Sequence, residues 1–325
     1  MKILITGGAG YVGSKLVPKL LSLNHSITVI DLMIYGSDTL NSHEKLNKIK
    51  GDIRDLNLLK KIIPGHDVVI HLACISNDPS FELNPTLGKS INFDAFEPLV
   101  KISKDSNIKN FIYASSSSVY GIKKEKNVTE DMKLEPLTDY SKFKGECEII
   151  LNSYKSQDFT TTTIRPSTVC GYAKRQRLDL VVNILTNHAY NNRKITVFGG
   201  DQLRPNIHID DMVNSYVAVL NADKKKINGE IFNVGFRNQT VNELAQDVKS
   251  VIGNDVEIIN TKTDDNRSYH VSSEKIKDIL GFKTNFTIKD AVLDLKFAFE
   301  KNLLKNSLND EKYFNIKRMQ SINLV

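Results

Sequence analysis

The chain has 325 residues, 40% hydrophobic and 25% charged, a balance that excludes a disordered or membrane-embedded protein and fits a folded globular one. Its net charge of +6 comes from 44 Lys and Arg against 38 Asp and Glu. The basic residues are scattered, and the two compact runs, Lys123-Lys124-Glu125-Lys126 and Lys224-Lys225-Lys226, stand beside turn residues as solvated loops. No basic face interleaved with aromatics is visible, which argues against nucleic acid as a partner.

Strands are predicted, in chain order, over Lys2–Thr6, Ser26–Asp31, Val68–Ala73, Asn110–Ser115, Thr161–Pro166 and Glu230–Val234, with a further one just before Gly51. Helix-period segments separate them at Tyr11–Leu23, Lys89–Ser103 and Tyr140–Tyr154. Strands alternating with helices predict right-handed crossovers and a parallel sheet covered on both faces, an α/β, doubly wound fold. Beyond Gly171 the pattern loosens. A second strand-helix pass follows at Asn206–Gly235, then helices at Val241–Ile252, Ser273–Leu280 and Ile288–Phe299 with one strand near Val256–Asn260. Two interleaved domains are expected: residues 1–171 with 206–237, and a smaller, discontinuous α+β domain of 172–205 with 238–325. Residues 301–325 are polar and weakly patterned, and no role follows from them.

The first strand runs straight into Thr6-Gly7-Gly8-Ala9-Gly10-Tyr11-Val12-Gly13 and a helix. Glycines there let the backbone turn tightly and approach a pyrophosphate, which would sit on the unpaired N–H groups of the positive helix end. The second strand ends in Asp31, whose carboxylate can accept from both adenosine ribose hydroxyls and would repel a 2′-phosphate. This is a Rossmann fingerprint for NAD rather than NADP. Asp52 and Ile53, after the third strand, are candidates for the adenine amino group and ring, although a loop acid is more often only solvated.

Tyr140 and Lys144 lie four residues apart, on one face of the same predicted helix. A free phenol titrates near roughly 10, too high for a base at neutral pH, and a cation about one turn away lowers that value. The strand at Asn110–Ser115 opens into Ser115-Ser116-Ser117-Ser118-Val119-Tyr120-Gly121, so a hydroxyl emerges at the carboxyl end of a central strand beside the cofactor crevice.

With these residues in view, the chain resembles the extended short-chain dehydrogenase/reductase family, the NAD-dependent sugar-nucleotide epimerases and dehydratases. The resemblance rests on Gly7-x-x-Gly10-x-x-Gly13, Asp31, Asp52-Ile53, His71-Leu72-Ala73, Ser116, Val119-Tyr120-Gly121, Tyr140-x-x-x-Lys144, Arg165-Pro166 and Arg204-Pro-Asn-Ile-His208-Ile-Asp210-Asp211. It implies that Gly7, Gly10, Tyr11, Val12, Gly13, Asp31, Asp52, Ile53, Leu72, Ala73, Asn92, Tyr140 and Lys144 meet NAD. It also selects Ser116 from the serine run, by register with the Val-Tyr-Gly triplet, and implies that Tyr140 takes the proton of the sugar 4-hydroxyl while C4 hydride passes to the nicotinamide. The acid pair of the family's dehydratases corresponds here to Ser117 and Ser118, which cannot ionise, so dehydration and decarboxylation are disfavoured.

For a nucleotide-diphosphate sugar, the same resemblance points to Arg204, Arg267, Arg175, Arg177 and Asn183. Ser76 and Asn77 are offered either as contacts to sugar hydroxyls or as a plain loop. The expected activity is a nucleotide-sugar 4-epimerase; a 4-dehydrogenase or 4-ketoreductase, including a GDP-heptose type for surface polysaccharide, and a non-catalytic NAD-binding protein are the alternatives. A homodimer pairing the Lys89–Ser103 and Tyr140–Tyr154 helices is implied as well. The three cysteines, Cys74, Cys147 and Cys170, lack metal-ligand spacing, so reduced thiols and no metal are expected. No secretory leader pattern or run approaching about 18 apolar residues appears, and a cytoplasmic protein without a membrane partner is the expectation.

Overall fold

The computed structural model describes residues 1–325 apart from residues 126, 264–267, 269 and 325. Its central sheet has seven strands: β1 (Lys2–Thr6), β2 (Ser26–Asp31), β3 (Leu46–Lys50), β4 (Val68–His71), β5 (Asn110–Ala114), β6 (Thr160–Pro166) and β10 (Glu230–Val234). Their order across the sheet is β10-β6-β5-β4-β1-β2-β3, and every pair is parallel. The chain winds outward from β1 to β3, then returns to the other side of β1 to lay down β4. That reversal leaves a crevice at the carboxyl ends of β1 and β4, where a doubly wound sheet takes its ligand.

The strands buried on both faces are those read as continuous apolar runs: Val68, Val69 and Ile70 are 3%, 0% and 0% exposed. One face packs on the helices Gly13–Ser22 and Ile209–Asn221 through Leu16, Val17, Leu20, Met212, Tyr216 and Val219. The other packs on Phe96–Asp105 and Asp139–Tyr154 through Phe96, Leu99, Val100, Cys147 and Leu151.

Two smaller sheets stand apart. β7 (Thr168–Cys170), β9 (Leu203–His208) and β11 (Arg237–Thr240) form one, and β8 (Lys194–Phe198) pairs with β12 (Glu257–Thr261) in the other. Within 206–237, the helix Ile209–Asn221 and β10 join the large sheet, whereas the strand that begins the segment is β9 of a small one. Val182, Leu185, Leu244, Val248, Ala291 and Val292 share a core of their own beneath these strands. Among the described residues no helix is long and apolar enough to cross a membrane.

One helix departs from its sequence pattern. The segment expected to be helical over Lys89–Ser103 is broken by a wide, π-type turn at Ser90–Asp94 before the helix Phe96–Asp105. Pro98 has no N–H to return to the carbonyl of Asp94, so the regular ladder cannot run through.

His71, at the end of β4, is a fold residue. It is 2% exposed, its Nδ1 lies 2.6 Å from the Thr6 hydroxyl, and its ring stacks on Tyr113. Burial, reinforced by the Lys144 charge, pushes its pKa from 6.5 down to about 3. Because the folded value is depressed, the unfolded chain takes up a proton that the native chain refuses as pH falls below 6.5. Stability relative to a His71→Gln variant is therefore expected to fall by roughly 3 kcal/mol between about pH 7 and about pH 4 in denaturant titrations. Parallel curves for the two proteins would show that the imidazole protonates in place.

Candidate functional site

A cavity of about 520 Å³ opens at the β1/β4 crevice. Gly7, Gly10, Tyr11, Val12 and Gly13 form its floor, with Asp31 on one wall and Ser116, Tyr140 and Lys144 on the other. The glycine turn is built for close approach: Gly7 has φ +71°, and a Cβ there would stand 2.5 Å from the backbone nitrogen of Ala73. A Cβ on Gly13 would collide with the carbonyl oxygen of Gly8. This is a cradle that only glycine leaves open, at the positive, amino-terminal end of the helix Gly13–Ser22.

Asp31 accepts from the backbone N–H of Met33 at 2.8 Å and of Ala9 at 3.0 Å. Burial raises its pKa against the pull of those N–H groups and of the Arg175 charge. Each carboxylate oxygen keeps a lone pair for a ribose hydroxyl. Asp52 and Ile53 line the same end. Asp52 is paired with Arg54 at 2.6 Å; burial pushes its carboxyl up, but those bonds outweigh burial and hold it below the ordinary value. The residues present therefore fit a dinucleotide: the glycine cradle would hold its diphosphate, and Asp31 and Ile53 its adenosine.

The wall opposite Asp31 is built on one helix face. Thr138 caps the helix Asp139–Tyr154, its hydroxyl accepting from the Ser141 N–H. Tyr140, Lys144 and Glu148 then follow one another at successive turns, 8%, 4% and 4% exposed. Lys144 Nζ donates to the Ala114 carbonyl at 2.7 Å and lies 5.9 Å from the Tyr140 ring centroid. The sequence argument expects a lowered phenol pKa. Without the cofactor's charge, burial dominates and pushes Tyr140 up; the nearby Cys74 and Asp78 add to the rise, and the Asn77 backbone N–H and Arg177 pull the other way.

Of the serine run, Ser115 is consumed internally, its hydroxyl hydrogen-bonding the Glu148 carboxylate. Ser116 lines the cavity and starts a row of hydroxyls. Its Oγ is 2.8 Å from Ser118 Oγ, which is 2.8 Å from Ser141 Oγ, which is 3.1 Å from Thr138 Oγ1, and the Thr138 hydroxyl donates to Asp78.

Beneath this wall Arg165 and Glu148 form a buried pair, both side chains 3% exposed. Arg165 Nε and Nη2 reach Glu148 at 3.0 and 2.6 Å, and Nη1 donates to the Tyr120 hydroxyl at 2.6 Å. Tyr120 in turn donates to Asn233 at 2.8 Å. One polar network thus ties the helix to β6, to β10 and to the end of the serine run.

Leu72, Ala73, Ser76, Asn77, Arg175, Arg177 and Arg204 also line the cavity. The Arg175 guanidinium stacks 3.5 Å over the Tyr35 ring, and its backbone N–H donates to the Ser14 hydroxyl at 3.3 Å. Arg177 bonds Asp179 at 2.9 Å and Ser76 at 2.9 Å. Nε of Arg175 and Nη2 of Arg177 are buried without a hydrogen-bond partner among the described residues. Asn77, at φ +76°, caps the short helix Asp78–Glu82 with its own side chain.

Two expected site residues lie behind the wall. Asn183 is 0% exposed and its amide is saturated, accepting from Gly171 at 3.0 Å and donating to the Tyr11 hydroxyl at 3.0 Å and the Arg177 carbonyl at 2.8 Å. It fixes the cradle's Tyr11 against the second sheet, and cannot face a substrate. Asn92, placed inward by the wide turn, has both ends of its amide on Ile75, at 2.8 and 2.9 Å. It positions the loop after β4 instead of touching the crevice. Arg267 lies outside the described residues.

The model of the NAD dependent epimerase/dehydratase family matches residues 3–235. The chain belongs to that family. It is similar to the UDP-glucose 4-epimerase of Lactobacillus helveticus, 27% identical over 93% of this chain and 98% of that one. It is also similar to human dTDP-D-glucose 4,6-dehydratase, 28% identical over 90% and 87%. Among solved structures, a UDP-glucose 4-epimerase with UDP-glucose from Thermotoga maritima superposes with a TM-score of 0.84 at 25% identity, covering 93% of this chain and 100% of that one. As a member of the NAD dependent epimerase/dehydratase family, the chain is an NAD-dependent enzyme.

Sequence reasoning missed part of this enzyme's cavity. Tyr35, Asn315, Met319 and Leu324 line it, and none of them stands in a recognisable motif. The one available signal for the tail was the apolar spacing of Ile316, Met319 and Ile322, at helical intervals in an otherwise polar stretch.

Proposed function

We propose that this protein is a nucleotide-sugar 4-epimerase acting through a transient 4-keto sugar. The observation that carries the reading is the convergence of Tyr140, Lys144 and Ser116 on the cavity whose floor is the glycine cradle. When bound, NAD supplies a reversible acceptor for the C4 hydride and a positive charge beside the phenol. Tyr140 takes the proton of the sugar 4-hydroxyl and later returns it. Ser116 orients that oxygen. Lys144, fixed on the Ala114 carbonyl, supports the phenolate and stands ready for the cofactor's ribose. Arg204, on β9, faces the substrate diphosphate. Arg175 belongs with the cofactor, and Arg177 bridges the two.

In this reading residues 1–171 with 206–237 carry NAD, and 172–205 with 238–325 receive the nucleotide sugar. Ser117 and Ser118 bring no ionisable group to the positions that elimination of water requires, which supports epimerisation over dehydration. The relatives' names make UDP-sugars the first substrates to test. We also propose a homodimer through the Asp139–Tyr154 helix, where Ile149 is 71% exposed.

Incubation with NAD and a panel of UDP-, GDP-, CDP- and dTDP-sugars tests the activity. A C4 epimer without net NADH is expected. NADH accumulating with a keto sugar would reassign the protein as a dehydrogenase or ketoreductase. NAD binding with no product across the panel would leave a non-catalytic protein.

A further inference from the structure

The last stretch of chain lies across the mouth of the crevice. The loops after β2 and after β4 flank that mouth, because β2 and β4 stand on either side of β1. Asn315 bonds to both. Its Oδ1 accepts from the Tyr35 hydroxyl at 2.8 Å, and its Nδ2 donates to Ser76 Oγ at 3.1 Å. It is also fastened to the second unit, accepting from Arg175 Nη2 at 2.6 Å and donating its backbone N–H to Asp179 at 2.9 Å. One asparagine side chain, 4% exposed, therefore joins three segments that meet only around the cofactor cavity.

The helix Asn315–Ser321 continues the crossing. Arg318 donates to the Ile34 carbonyl at 2.7 Å and pairs with Glu311 at 2.6 Å. Met319, 5% exposed, packs in the cluster that holds Ile53, Ile75, Ile91 and Tyr140. Met319 and Leu324 both line the cavity. The root of the segment is held by the Tyr313 carbonyl, which accepts from the Leu178 N–H at 2.9 Å.

We propose that residues 311–324 are a latch that closes the cofactor crevice from the adenosine end to the loop after β4, with Asn315 as its catch. A dinucleotide lying on the glycine cradle between Asp31 and Tyr140 can leave by this mouth only when the Asn315 and Arg318 bonds open together. The latch thus makes NAD a resident group, reduced and reoxidised in place. That is what a net epimerisation needs, and what a dehydrogenase, which must exchange NADH for NAD each turnover, cannot use. The inference rests on the NAD-dependent reading above and deepens it. It concerns no contact to the sugar.

The test is the rate at which bound NAD leaves. The full chain is loaded with labelled NAD, freed of excess by gel filtration, and chased with unlabelled NAD. Slow release is expected from the natural protein, and release at least about tenfold faster from Asn315→Ala and from Arg318→Ala. Arg318→Ala removes only the outer fastening, so it covers the case in which the buried Asn315→Ala variant folds poorly, as judged by its melting curve. Amide exchange within 311–324 is expected to slow when NAD is added. Equal release rates in all three proteins would overturn the latch while leaving the NAD reading intact. Slower release from the variants would overturn it too, since the segment would then compete with the dinucleotide. A natural protein that takes up no NAD overturns both readings.

Discussion

Tyr140→Phe is expected to lower kcat/KM on the reactive nucleotide sugar by about 10²–10⁴-fold, the usual contribution of a positioned proton-transfer group, with NAD binding nearly unchanged. The change removes one oxygen from a ring that is already buried, 8% exposed, and packed beside Phe81, so the wall should keep its shape. The phenol's raised pKa gives the sign of the pH dependence. Burial favours the neutral form, so the proton-accepting form gains population as pH rises, and kcat/KM should climb on the alkaline side. Lys144→Met should move that limb further toward alkaline pH, because it withdraws the nearest ammonium, 5.9 Å from the ring centroid. Turnover of Tyr140→Phe within a few-fold of the natural protein would remove Tyr140 as the base.

The second large effect concerns stability. Arg165→Met is expected to destabilise the fold by about 3–5 kcal/mol, because it strands the Glu148 carboxylate without a counter-charge under the sheet. Burial alone would lower the pKa of Arg165, and it is the Glu148 carboxylate and the Tyr120 hydroxyl that hold it above the ordinary value. Removing both charges should do less damage than removing one. The double variant Arg165→Met, Glu148→Leu is expected to recover most of the loss, since a well-packed apolar pair spares the desolvation of two ions. Urea titrations of the two variants decide the matter. A single-variant loss below roughly 1 kcal/mol would mean that water or a neighbour compensates the carboxylate.

The molecule's architecture could be read in advance because it is made of local signals that tertiary packing did not override. Strands β1, β2 and β10 have the bounds that their apolar runs suggest. The glycine spacing marked the cradle, since no other residue tolerates the approach of Ala73 and Gly8. The pairing of Tyr140 with Lys144 followed from helical geometry alone. What could not be read were relations between distant segments. Asn183 has the residue type of a sugar ligand, but whether an amide faces a cavity or saturates three backbone and side-chain partners depends on where residues 11, 171 and 177 meet. The phenol shows the same limit: one cation a turn away is visible in sequence, whereas the depth of burial that raises its pKa is not. The tail carried no motif because its bonds run to residues more than 100 positions away.

For the oxidation and return reduction proposed above, the row of hydroxyls from Ser116 to Thr138 has a further use. Each hydroxyl holds a single proton and can point it to either neighbour. With the Ser118 and Ser141 protons swung toward Asp78, Ser116 turns a lone pair to the sugar and receives an alcohol. With those protons swung the other way, Ser116 offers its own proton to a ketone. The file of oxygens can invert its polarity by bond rotations alone while every heavy atom stays where it is. A site arranged so presents one face to the substrate before oxidation and the complementary face after it.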